Sequence, residues 1–426
     1  MLKLKGSIKV GSDKSCSHRM LILSAMSVGK SKIKDLLESQ DVLNTLKILR
    51  ELGIKINKNG CIYEVYGNGT NGFMEPKKAL DCGNSGTTAR LLIGAVSTNP
   101  IKCMFIGDKS LSSRDMSRVT DHLEGIGAEV QYTNNGYLPL MLSGNDELLP
   151  MTHIMKKASA QIKSALILAG LNIHGTTKII ENKITRDHTE NLMKYLNIKF
   201  NIKKLRNGGK EITINGPYEI KSKNLTVPGD PSSAAFFVVA ALIVPGSKII
   251  LKNVMLNPTR ITYLKILKKM GGKIKIKKTK KLSGEYVGEI HVEYSQLKGV
   301  NIGASLAPQL IDEYPILSIA ASQAKGKTTM KGLDELRHKE SDRIHSIVFN
   351  LKKVGIEVQE ENNNLHIFGK KIKINKIVKI KSFGDHRIAM SFSILNILCN
   401  KKLQIDNKRC INISYPDFEK HLNYLL

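Results

Sequence analysis

The sequence has 426 residues, 41% of them hydrophobic and none of them Trp, which suits two or three folded domains. No apolar run approaches the roughly 20 residues that span a bilayer, the N-terminus lacks a signal peptide's apolar core and cleavage site, and the six scattered cysteines show no C-x-x-C; these features argue against a membrane-spanning helix, a disulfide framework and a zinc site and predict a reducing cytoplasm. The 66 basic and 37 acidic residues leave a formal charge of +29, but the excess is dispersed lysine without an Arg-rich arm or aromatic-interleaved patch, so it reads as a general lysine bias that can also help draw in a multiply anionic small molecule, and nucleic-acid binding is not expected.

In chain order, Leu2–Val10 alternates like a strand. From Ser15 a small or polar start leads into an apolar, Ala/Ser-rich run ending at Ala25. The pattern returns at 85–95, 159–169, 231–241, 312–321 and 384–394, with starts 70, 74, 72, 81 and 72 residues apart. Between these runs lies a second unit, a helix end turning into a strand. Its anchors are Gly53, Gly127, Asn197, Gly271 and Gly355, spaced by 74, 70, 74 and 84 residues, and Gly or Asn there suits a left-handed C-cap. Two series with one period predict six repeats. The Ala/Ser-rich helices are apolar nearly all round and should be buried; the Lys-rich helices ending at Leu49, Leu123, Leu267 and Leu351 should be amphipathic and outer.

The predicted fold is α/β, with three repeats in each of two similar domains. The sixth repeat has no strand after its last predicted helix end, and Leu2–Val10 is expected to supply it. That places 1–14 and 227–426 in one domain and 15–226 in the other, with chain crossings near Gly11–Ser15 and Thr226–Asp230 and the active site in the cleft between the domains. Val227-Pro228-Gly229-Asp230-Pro231 has the turn residues for such a crossing.

Helix N-termini bind anions, and several buried helices starting together would suit a phosphate. Lys14-Ser15-x-x-x-Arg19, Gly83-Asn84-Ser85-Gly86-Thr87, Ser159-Ala160-Gln161, Asp312-Glu313 and Gly384-Asp385-His386-Arg387 all fall at such starts. Capping accounts for Ser and Asp, including Ser232, but not for Lys14, Arg19 and Arg387, whose charges oppose the dipole and point to a bound anion. Gly332–Arg343 reads as a loop entering a helix, with Lys339 and Arg343 on one face and Glu340 three residues before Arg343. Alone, this would be a solvated charged face. Gly29-Lys30-Ser31 lacks the first glycine of a phosphate loop, no Gly-x-Gly-x-x-Gly occurs, and His18, His153, His188 and His386 have no metal spacing. Cys16 reads as a packing residue.

The motifs Asp13–Arg19, Gly83–Arg90, Ala158–Ala165, Arg186–Glu190, Pro228–Ala235, Leu336–Arg343 and Asp385–Arg387 stand in one order along the chain. With them the chain resembles the 5-enolpyruvylshikimate-3-phosphate synthases from Gly6 to the Tyr415-Pro416-Asp417-Phe418 tail. The resemblance implies two domains of three βαβαββ units with helices inside, the inside-out α/β barrels of the enolpyruvyl transferases. It implies transfer of the enolpyruvyl group of phosphoenolpyruvate to shikimate 3-phosphate in the shikimate pathway to chorismate and aromatic amino acids. No cofactor, metal, membrane or nucleic-acid partner is implied, and a monomer is expected.

By the same resemblance, Lys14, Ser15, Arg19, Ser159, Ala160, Gln161, Arg186, Asp312 and Lys339 hold shikimate 3-phosphate. Lys14, Gly86, Arg114, Gln161, Arg343, His386 and Arg387 hold phosphoenolpyruvate, and Asp312, Glu340 and Lys14 are catalytic. The chain departs from the family pattern at Gly11 and Ser12, where Pro and Gly are usual, at Asp115 where Pro is common, at Thr185 in place of Ser, and at Ile413 where some members have Lys. The sister enzyme acting on UDP-N-acetylglucosamine usually carries a reactive Cys on a first-domain loop. Gly107–Arg114 has none.

Overall fold

The two alternating sequence patterns become two kinds of helix. The structure, a computed structural model, describes residues 2–372 and 374–426; Met1, which the expected second domain includes, lies outside them. In chain order the α-helices are α1 (Lys14–Ala25), α2 (Gln40–Glu51), α3 (Gly86–Val96), α4 (Ser117–Glu124), α5 (Ala160–Gly170), α6 (His188–Tyr195) and α7 (Pro231–Ile243). They continue with α8 (Thr262–Lys269), the single-turn α9 (Ala307–Leu310), α10 (Tyr314–Ser322), α11 (Arg343–Lys353), α12 (His386–Leu398) and α13 (Phe418–Leu425).

The predicted C-caps form at all five anchors. Gly53, Gly127, Asn197, Gly271 and Gly355 have φ of +86°, +109°, +62°, +97° and +81°. Each closes its helix with the same pair of hydrogen bonds. At α2, Gly53 N donates to Arg50 O and Ile54 N to Leu49 O, and the pair recurs at Gly355 and Ile356 after α11. This double closure satisfies carbonyls that a helix end otherwise leaves open.

The Ala/Ser-rich helices are buried, as their all-round apolarity predicts. α7 is buried at every position from Pro231 to Ile243, and α5 from Ile162 to Gly170. Small residues let these helices approach closely: a Cβ on Gly94 of α3 would stand 2.4 Å from Ala165 O of α5. The lysine-bearing helices bury one face only, as in α8, where Tyr263, Leu264, Ile266 and Leu267 are inside and Lys265, Lys268 and Lys269 outside.

One sheet accompanies each repeat. In the second repeat, strand 80–81 runs parallel to 102–106 across α3, and the antiparallel hairpin 129–134/137–143 completes the sheet. The third and fifth repeats build theirs the same way, with orders 152–155, 175–181, 210–216, 201–204 and 301–302, 326–330, 364–369, 357–361. Among the described residues, the sixth is a parallel pair of strands, 378–380 and 403–405. Asn396 seals part of its edge: its side chain accepts from Leu403 N at 2.7 Å and donates to Leu403 O at 3.0 Å.

The N-terminal strand does not serve that sixth sheet. Lys5–Lys9 pairs in parallel with 248–252 and completes the fourth repeat. The reason is topological. Strand 225–226, which enters α7, pairs with 33–34 of the first repeat, so the fourth sheet needs its first strand from elsewhere.

The chain divides into two compact units. The first is Lys14–Val227 with Leu282–Glu285; the second is the chain up to Asp13, Pro228–Lys281 and Tyr286–Leu426. Lys14 falls with the first unit because it is already the first residue of α1. The tip 282–285 falls there too, where Ser283 Oγ accepts from Thr226 N at 2.8 Å.

Gly11, one of the departures from the family pattern, is explained by Tyr415. A Cβ on Gly11 would lie 2.7 Å from the Tyr415 ring, and the Tyr415 hydroxyl accepts from Gly11 N at 3.2 Å. A proline at 11 has no such N–H to donate.

Candidate active site

In the first unit the predicted residues collect at the starts of α1, α3 and α5. Lys14 Nζ is 2.9 Å from Asp41 Oδ2. The Arg19 guanidinium is buried and directed, donating to Thr189 Oγ1 at 2.8 Å, Ser164 Oγ at 2.8 Å and Ser15 O at 3.0 Å. Ser159 caps α5 by accepting from Ile162 N, and Ala160 and Gln161 form its first turn. Gln161 bridges two helices: its carbonyl accepts from Arg90 Nη1 at 2.8 Å and its amide donates to Thr87 Oγ1 at 2.9 Å.

Gly86 opens α3 between two guanidiniums. A Cβ there would meet Arg90 Nη1 at 2.8 Å and Arg114 Nη1 at 3.5 Å, so a larger residue would displace the Arg90 guanidinium. Arg114 is held by Asn84, through Oδ1 at 3.0 Å, and by Ser110 Oγ at 3.2 Å. Asp115, the departure next to it, accepts from Ser117 N at 2.9 Å and pairs with Arg118, and its backbone carbonyl accepts from Arg90 Nη2 at 2.9 Å. The loop is therefore fastened by carboxylate bonds. Burial, and then the Arg114 and Arg118 charges, push Arg90 down to about 10. It stays cationic at neutral pH, and crowded like charges of this kind are relieved by an anion.

Arg186 follows Thr185 on the loop entering α6. The Thr185 hydroxyl and N–H both bond Glu181, at 2.6 Å from the nitrogen, so the Thr185 side chain serves the loop itself. Glu181 and Glu190 form a buried quartet with Lys163 and Lys210, including Lys163–Glu190 at 2.9 Å and Lys210–Glu190 at 2.8 Å. Burial raises the Glu190 carboxyl, but Lys163 and Lys210 together bring it below its ordinary value.

In the second unit, three predicted side chains, Glu340, Asp312 and Arg387, gather around Arg343, which is fully buried. Its Nη2 donates to Glu340 Oε2 at 2.6 Å, its Nε to Asp385 Oδ2 at 2.8 Å, and its Nη1 stands 3.6 Å from Asp312 Oδ1. Arg387 adds a second guanidinium, with Nη1 donating to Asp312 O at 3.0 Å and Nε 3.6 Å from Asp312 Oδ1. Burial works against the Arg343 charge, yet Asp385, Glu340 and Asp312 hold it above its ordinary value. His386 is buried in the first turn of α12. Lys339 has no hydrogen bond or ion pair among the described residues, and burial lowers its ammonium from the usual 10.5.

Two expectations need correction. Lys339 and Arg343 do not share a helix face. Asp334–His338 is a 3₁₀ turn, Lys339 is extended, and α11 begins only at Arg343, capped by Asp342, which accepts from His345 N at 3.0 Å. The Glu340–Arg343 pair forms across a loop-to-helix junction. Ser232 does not cap α7: Asp230 does, accepting from Ser232 N at 2.7 Å. The Ser232 hydroxyl instead accepts from Arg260 at 2.9 Å and donates to Glu313. Arg260 also binds Asp13 and Asp230, each at 3.0 Å. Burial, and then the Asp13 charge, raise the Asp230 carboxyl.

Sequence reasoning passed over Arg90, Asp41, Asp385 and Arg260. Arg90 had a usable signal, one turn after Gly86 on the same helix. Asp41 and Arg260 had none, because their partners lie 27 and 247 positions away.

This arrangement of guanidiniums, amides and paired carboxylates over repeated βαβαββ units is that of an enolpyruvyl transferase. The structure of the enolpyruvyl transferase NikO from Streptomyces tendae is alike in fold, with a TM-score of 0.78 at 15% identity over 99% of this chain and 95% of that one. The chain belongs to the EPSP synthase (3-phosphoshikimate 1-carboxyvinyltransferase) family, whose model matches residues 1–422. It is 44% identical to the 3-phosphoshikimate 1-carboxyvinyltransferase of Zymomonas mobilis over 97% of this chain and 92% of that protein. It is 36% identical to an EPSP synthase structure from Acinetobacter baumannii, with a TM-score of 0.86 over 99% and 96% of the two chains. No helix among the described residues is long and apolar enough to cross a membrane.

Proposed function

We propose that this chain transfers the enolpyruvyl group of phosphoenolpyruvate to the 5-hydroxyl of shikimate 3-phosphate and releases phosphate. The observation that carries the reading is that two carboxylates, Asp312 and Glu340, address one buried guanidinium, Arg343. The reaction needs that combination: cations for the phosphates and carboxylate of the substrates, and two groups that exchange protons.

In this reading Asp312 takes the proton of the 5-hydroxyl as its oxygen adds to C2 of the enol, while Glu340 protonates the methylene. The tetrahedral adduct then loses phosphate as Glu340 takes a proton back from the new methyl group and the double bond re-forms. Arg343, Arg387, Arg114, Gln161 and Gly86 bind phosphoenolpyruvate. Arg19, Ser15, Ser159, Ala160, Arg186 and Lys339 bind shikimate 3-phosphate, and Lys14 serves both. Arg90 joins this set through Gln161. A monomer in the cytoplasm fits this role.

The test is phosphate release from phosphoenolpyruvate with shikimate 3-phosphate or UDP-N-acetylglucosamine as acceptor. Release with shikimate 3-phosphate alone is expected. Release with the nucleotide sugar alone would assign the sister reaction, and release with neither would refute the reading.

A further inference from the structure

We propose that Cys16, His188 and Glu285 form a binding site for a borderline-soft divalent cation such as Zn²⁺. The three residues are 4%, 2% and 3% exposed, and their donor atoms all lie within 4.8 Å of one another. His188 Nδ1 is 2.8 Å from Glu285 Oε1. Tetrahedral zinc holds sulfur at about 2.3 Å and nitrogen and oxygen at about 2.0–2.2 Å, which sets its ligands roughly 3.3–3.8 Å apart. Small shifts bring the three donors to that spacing.

The donor set suits the charge. A thiolate and a carboxylate supply two negative charges and a neutral imidazole none, so a dication is neutralised where it is buried. Binding exchanges the Cys16 thiol proton for the metal, and that proton leaves to solvent. Three protein ligands leave the fourth tetrahedral position to water.

The site is also supported from behind. Asn191 Nδ2 donates to Glu285 Oε1 at 3.3 Å and to Asp187 Oδ1 at 3.2 Å, orienting the carboxylate as an outer-shell group does. The tip that carries Glu285 is tightly seated: Gly284 has φ +91°, and a Cβ on it would stand 2.4 Å from Asn191 O. Cys16 occupies the first turn of α1 beside Lys14 and Ser15. The bland alternative is a His–Glu pair with a cysteine packed against it, and the two readings differ in a direct measurement.

The experiment uses the metal-free full chain carrying Cys61→Ser, because Cys61 is the exposed thiol. Co²⁺ is titrated in, and the thiolate-to-cobalt charge-transfer absorption is read, with Zn²⁺ as competitor. One equivalent is expected to develop the band and Zn²⁺ to abolish it. Cys16→Ser should remove the band, and His188→Asn and Glu285→Gln should each weaken Co²⁺ binding by about 10–100-fold or more. No band in the Cys61→Ser chain, a band surviving Cys16→Ser, or unchanged affinity in both other variants would overturn the proposal. The Cys61→Ser titration leaves the cluster untouched, so its result stands even where a cluster variant fails to fold.

Discussion

Arg343 Nε donates to Asp385 Oδ2 at 2.8 Å, and both side chains are fully buried. The other oxygen of Asp385 accepts from Arg387 N at 2.8 Å and caps α12. One carboxylate thus fixes a guanidinium and starts the helix that carries the second one. Asp385→Asn keeps the shape and removes the charge. Breaking a buried pair from one side should cost about 3 kcal/mol in urea unfolding, and the KM for phosphoenolpyruvate should rise about tenfold or more. A loss under about 1 kcal/mol would mean that Glu340 and Asp312 hold Arg343 by themselves.

Asp312 is the carboxylate that both guanidiniums approach, at 3.6 Å from each. Asp312→Asn is expected to lower turnover by about 10²–10⁴ while shikimate 3-phosphate binding, read by calorimetry, changes only a few-fold. Near-normal turnover would remove Asp312 from the proton transfers and leave Glu340 alone.

The pH dependence should come from Lys339. Burial lowers its ammonium below 10.5, so the charge is lost earlier in alkali than for an ordinary lysine. The KM for shikimate 3-phosphate should therefore climb as pH rises toward 10.5. Lys339→Arg, which keeps its charge throughout, should flatten the climb. An identical alkaline limb in the variant would assign the effect elsewhere.

Glu190 ties Lys163 to Lys210 under the loop that carries Thr185 and Arg186. Glu190→Gln leaves the lysines over-charged in a dry place, and about 3–5 kcal/mol of stability should be lost. The sign with pH follows. The folded carboxyl sits below its ordinary 4.5, so its stabilisation is present above pH 4.5 and fades as pH falls below it. Urea midpoints across that range should drop more in the parent than in the variant.

The helices and their ends were legible because their causes are local. Gly or Asn at five helix ends, and apolar Ala/Ser runs between them, state a C-cap and a buried helix in the residues themselves. Most proposed site residues were legible for the same reason: Ser15, Gly86, Ser159 and Arg387 all sit where helices start. The segment from Lys339 to Asp342 was misread as helix because charge spacing alone does not distinguish a helix face from a loop that leads into one. The place of the N-terminal strand was misread because several sheets offered it an edge of the same pattern.

By itself, then, the sequence determined what recurs every seventy-odd residues: helix type, helix ends and the chemistry gathered at helix starts, all set by interactions within a few residues of one another. Only the tertiary structure decided which distant groups meet. Asp41 meets Lys14 between two helices of one repeat, Arg260 meets Asp13 across 247 positions, and Cys16 meets His188 and Glu285 from three separate segments, and no short-range pattern encodes which buried group will find which partner.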